Sequence, residues 1–102
     1  MPDAGIPGME LVEQGIADLR TGRVSAEALL VEIAAPRLRA VGVDVPPISP
    51  SSAHAEIRLY ELLGRQGHLD PYSLYNSLLA RLASCTHELE RAARRSLRMA
   101  GA

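Results

Sequence analysis

The chain has 102 residues, the size of one domain and too few for two. An apolar share of 47% excludes wholesale disorder, and a formal net charge of −1 leaves no broad basic footprint for nucleic acid. Aromatic residues make up only 3% and are all tyrosine, so the core must be built from Leu, Ile, Val and Ala, which favours helices over strands.

Residues 1–8 hold two prolines and two glycines and predict a flexible N-terminal arm, ahead of a single helical domain over 9–100. The first helix is expected over Met9–Thr21, where Met9, Val12, Ile16 and Leu19 recur at spacings of three and four. Glu10 and Glu13 near its start and Arg20 near its end complement the helix dipole, and Gly22 is a natural stop. Gly15 costs this helix about 1 kcal/mol relative to Ala. A close helix crossing at that point would offset the cost; simple tolerance would equally account for it.

Ser25 caps a second helix, with Glu27 in its first turn and Leu29, Leu30 and Ile33 on its buried face. Pro36 lacks an amide hydrogen and disfavours helical geometry at Ala35, so this helix should kink or split there, with "PRLRAVG" a short continuation ending at Gly42. A proline-rich linker follows at 43–51 and should lie extended across the surface. A third helix is expected from about Ser52 to Gln66, with Ile57, Tyr60 and Leu63 on one face and Leu59 and Leu62 widening it.

Asp70 and Pro71 open the last helix as cap and first helical residue. No breaker follows before Gly101, so it should run to about Met99 and project beyond a small body. A heptad register places Tyr75, Leu82, Leu89 and Ser96 on one seam position and Leu78, Cys85, Ala92 and Met99 on the other. With Leu74 and Leu79 flanking it, the first half of this helix reads as the central core helix. The fold class expected is all-α, an irregular antiparallel bundle of four main helices.

The chemistry-bearing residues are sparse. Every basic residue is arginine, and charge is uneven, −3 over residues 1–51 and +2 over 52–102. Cys85 is the only cysteine, which excludes an internal disulfide. It lies on the apolar seam, where a thiol is inert. Cys85 and His87 are two apart, on different sides of a helix, and His87 with Glu90 gives only two ligands, too few for zinc, so no metal and no cofactor is expected. His54 and His68 have no paired spacing, and no glycine-rich phosphate loop follows a strand. The pair of segments around Pro36 has the outline of a helix-turn-helix but offers only Arg37 and Arg39, with no Asn or Gln for adenine.

The terminal arginines are the better candidates. Arg91, Arg94, Arg95 and Arg98 form a stripe on one side of the last helix and are candidate anion-binding residues. Helix dipole and neighbouring Glu88 and Glu90 also explain arginines there, and no aromatic side chain is interleaved to stack on bases. The reading is therefore a non-catalytic protein-interaction module that self-associates as a homo-oligomer through its long last helix, using Leu82, Leu89, Ala92 and Ala93. The alternative is a nucleic-acid-associated regulator using the arginine stripe. No apolar run approaches the roughly 20 residues of a membrane span, and the first residues lack the pattern of a signal peptide, so no membrane partner and a cytoplasmic location are expected.

Overall fold

The computed structural model describes residues 6–48 and 55–101, with side chains through position 97. Four helices follow one another, α1 (Met9–Thr21), α2 (Ala26–Ala40), α3 (Ala55–Arg65) and α4 (Pro71–Gly101), and the described residues contain no strand. The chain is all-α, as its composition predicts.

α2 is the centre of the bundle. Ala28, Leu29, Leu30, Val31, Ala34, Ala35 and Leu38 are all buried, so seven of its fifteen residues face inward in every direction. α1, α3 and α4 each pack on it. The sequence pattern assigns that central place to the first half of α4, and the structure corrects it: there Leu82, Cys85 and Thr86 are buried, while Leu74, Tyr75, Leu78 and Leu79 are only partly covered. A helix apolar on all sides is the one that must be enclosed; α4 keeps a polar side and remains peripheral.

α2 also runs through Pro36 as one element to Ala40, so it does not split there. Proline removes one intrahelical hydrogen bond and crowds the preceding turn. Its ring faces solvent, and Ala34, Ala35 and Leu38 on either side are buried, which holds the helix together across it.

α1 crosses α2 at Gly15. A Cβ placed there would lie 2.3 Å from the Glu27 carbonyl oxygen and 2.5 Å from a Val31 methyl. The close crossing explains why a poor helix former sits mid-helix. Gly8 is a second tight point. Its φ is +82°, and a Cβ would lie 2.9 Å from the Arg81 carbonyl oxygen on α4. Ile6 packs against the core beside it, so the described end of the expected flexible arm, residues 6–8, is part of the body; residues 1–5 lie outside the described residues.

The α1–α2 corner is locked by one buried carboxylate. Asp18 accepts from the Ser25 hydroxyl at 2.6 Å and from the Gln14 amide at 3.0 Å. The same Ser25 oxygen accepts from the Ala28 N–H at 3.1 Å, capping α2 as the sequence predicts. The Ser25 hydrogen bond first, then that of Gln14 and the nearby Arg23 charge, hold the Asp18 carboxyl below its ordinary range against the opposing effect of burial. Beyond α2, the described part of the linker is tied down. Val45 is buried, and the Arg39 guanidinium donates to the Pro46 carbonyl at 2.9 Å. Residues 49–54, including the expected helix start at Ser52, lie outside the described residues.

Two predictions test this frame. Gly15→Ala should destabilise the chain by about 1–3 kcal/mol, as overpacking does, because the obstacle is backbone. Gly64→Ala, in α3 with nothing within 4 Å, should instead stabilise it by about 0.5–1 kcal/mol. Denaturant unfolding of both variants reads the difference, and equal effects would refute a tight α1–α2 crossing.

Ser25→Ala should cost about 1 kcal/mol at neutral pH. The folded Asp18 value lies below the unfolded one, near 4. Its contribution is therefore present above that value and lost as pH falls through the folded one. The gap between parent and variant should narrow in acid, and the Asp18 carboxyl should titrate at higher pH in the variant by NMR.

Candidate interaction surface

α4 runs along most of the long dimension of the molecule. Its 31 residues span about 46 Å, while the molecule measures 51 × 27 × 22 Å. Asp70 starts it, accepting from the Ser73 N–H at 3.1 Å and the Ser73 hydroxyl at 2.7 Å, which lower its carboxyl below the ordinary range. Among the described residues, three ion pairs join the helices. Arg81 reaches Glu10 of α1 at 2.8 Å, Arg58 of α3 reaches Glu32 of α2 at 3.2 Å, and Arg37 of α2 grips Glu90 of α4. The last is two-pronged, at 2.8 and 3.2 Å, and holds the Glu90 carboxyl below its ordinary range.

The heptad seam is largely consumed inside the molecule. Leu82 is 5% exposed and part of the core, so it is corrected from an external contact to an internal one. Leu89 is half-buried and also packs against the core. Ala92 and Ala93 are partly exposed, and Leu97, which the heptad reading passes over, is 73% exposed. Leu97 and Ala93 face Val41 at the end of α2, and Arg94 and Glu90 edge this apolar ledge.

Arginines divide into two sets. Arg37 and Arg39, the candidates for a helix-turn-helix reading, are committed to Glu90 and to the linker carbonyls. Arg91 pairs within its own helix with Glu88 at 3.3 Å. Arg94 and Arg95 form no ion pair among the described residues, and with His87 and Arg91 they line a shallow, solvent-facing recess made by α4 alone. The Arg98 side chain lies outside the described residues.

At the other end of α4, the structure gathers residues that the sequence reading places elsewhere. α3 buries Ala55, Leu59 and Leu63, leaving Ile57 56% and Tyr60 42% exposed, so its inward face is turned from the expected one. Tyr60 packs edge-to-face on Tyr75, ring centres 5.8 Å apart and planes at 83°. Glu56, Ile57, Tyr60, Tyr72 and Tyr75 together line an open recess of about 390 Å³. All three tyrosines of the chain meet here. The signal available in sequence was the matched spacing of three in Ile57–Tyr60 and Tyr72–Tyr75 on either side of one short turn.

Cys85 is fully buried, 3.9 Å from the Met9 sulfur, and burial raises its thiol above the ordinary value, which makes it a weak nucleophile. Among the described residues, no three His, Cys, Asp or Glu side chains are grouped to hold a metal ion, and no helix is long and apolar enough to cross a membrane. His54 lies outside the described residues.

Since Arg94 and Arg95 are exposed and form no ion pair among the described residues, replacing both with Ala should change stability by less than about 0.5 kcal/mol. A thermal melt of the double variant checks this; a large loss would place them in the fold. Comparison with protein-family models, curated proteins and solved structures finds no match, so the reading of this surface rests on its own geometry.

Proposed function

We propose that this chain is a non-catalytic interaction module that associates with a second copy of itself through the free end of α4. The observation that supports this reading is the ledge of Val41, Ala93 and Leu97, an apolar strip near the end of α4 with Leu97 73% exposed. Leu97 gains nothing from its present exposure, and burying such a side chain contributes about 1.5–3 kcal/mol. The contact set differs from the heptad seam. Ala92 and Ala93 remain in it, Leu97 joins it, Leu89 sits at its inner edge, and Leu82 drops out.

A second reading has its own support in Arg94 and Arg95, which have no ion-pair partner among the described residues. Phosphates are the natural counterpart of such groups. The two readings separate in solution. Leu97→Asp should lower the mass measured by light scattering at high concentration without loss of helix, because a charge on a buried contact has no partner. Leu89→Asp would confuse association with folding, since Leu89 also packs on the core. Retention on DNA or RNA should be weak at physiological salt. A steep log–log salt dependence that shallows by about 1.4–1.8 on removing Arg94 and Arg95, with mass unaffected by Leu97→Asp, would replace the first reading with the second.

A further inference from the structure

The two ends of α4 are chemically complementary. Its start carries Tyr72 and Tyr75, joined by Tyr60, Ile57 and the Glu56 carboxylate from α3. Its end carries Arg94 and Arg95, exposed and without an ion pair among the described residues. Aromatic faces attract cations through their quadrupole, and a guanidinium is both flat enough to stack and weakly hydrated enough to leave water. Tyr60 and Tyr75 stand nearly perpendicular, so the recess presents ring surface on more than one wall, with a carboxylate at its edge.

The helix places Tyr72 and Arg94 on one side, with Arg95 turned about 140° from Tyr72 around the axis. Tyr72 and Arg94 are 22 residues apart in α4, which at 100° per residue leaves them about 40° apart around the axis and about 33 Å apart along it. Leu97 falls within about 20° of Tyr72 by the same count. When two copies lie with α4 antiparallel, the arginine end of each comes to the tyrosine end of the other, and both contacts form in one closed pair.

We propose that the recess of Tyr60, Tyr72, Tyr75 and Glu56 receives the Arg94 guanidinium of a second copy, stacked on tyrosine and paired with the Glu56 carboxylate. This rests on the self-association reading and adds the surface that receives the free end of α4. It also accounts for two features of the surface: the exposure of Tyr60 and Tyr72, and an Arg94 that forms no ion pair among the described residues.

Sedimentation equilibrium of the full chain over a wide concentration range, with helix content checked by circular dichroism, tests the contact. Tyr60→Leu with Tyr72→Leu keeps apolar bulk and removes π faces, and should weaken dimerisation about tenfold. Glu56→Arg, at an exposed position in the first turn of α3, should weaken it comparably with helix content retained, as should Arg94→Glu. Glu56→Arg combined with Arg94→Glu should recover most of the affinity, since the charges are exchanged. If the parent dimerises and Leu97→Asp abolishes it, while the recess variants leave dimerisation unchanged, this inference falls and the self-association reading stands. A parent that stays monomeric throughout overturns both.

Discussion

The structure turns on the contact between Gly15 of α1 and the Glu27 carbonyl of α2. No side chain fits between them, so the two helices meet backbone to backbone. That proximity lets the short loop at 22–25 bring Ser25 to Asp18, and the serine then serves as both cap and clasp. With α1 laid so closely on one side, α2 has its other sides free for α3 and α4. A core made of Leu, Val and Ala, without a phenylalanine or tryptophan to fill space, depends on such close approach: small side chains fill a bundle only when the helices are near.

Apart from the buried Asp18 and Thr86, the polar interactions between helices lie around that apolar frame. Each of the ion pairs Glu10–Arg81, Glu32–Arg58 and Arg37–Glu90 joins a different pair of helices. Most of their partners are substantially exposed, so each contributes little to stability in water; their value lies in fixing which helix faces meet. Glu32 is the exception, its side chain only 8% exposed, and its charge is not left unpaired. Arg20, Arg37, Arg39, Arg58, Arg81 and Arg91 each have an acidic or carbonyl partner, while Arg23, Arg65, Arg94 and Arg95 form no ion pair among the described residues.

Much of this was legible in the sequence where the signal was local. α1 was bounded by its apolar spacing and Gly22, α2 by its Ser25 cap, α4 by Asp70–Pro71, because each involves residues a few positions apart. Facing was not legible. In α3, Ile57–Tyr60 and Leu59–Leu63 are equally good helical stripes, and only the shape of α2 selects the second. At Pro36 the local preference admits a kink or a split, and the packing on both sides of it, which keeps the helix one element, is not visible in a local pattern. The heptad of α4 is a true periodicity whose inner part belongs to the core. Its seam up to Leu89 meets the chain's own core, so Leu82 and Leu89 pack internally while Ala92 and Ala93 do not. The tyrosine recess has only a faint signal in its matched spacings for a related reason, being composed from two helices whose turn had to fold before their side chains could meet.

The gathering of every aromatic ring at the α3–α4 corner has an optical consequence. With no tryptophan or phenylalanine in the chain, its near-ultraviolet absorption and its intrinsic fluorescence arise from Tyr60, Tyr72 and Tyr75. The packed interior around α2 is spectroscopically silent. Emission therefore reports on one exposed corner of the molecule: it is blind to loosening of the Gly15 crossing and sensitive to anything that settles on the tyrosines. The chain carries its own probe, placed at the surface where an approaching partner would change it first.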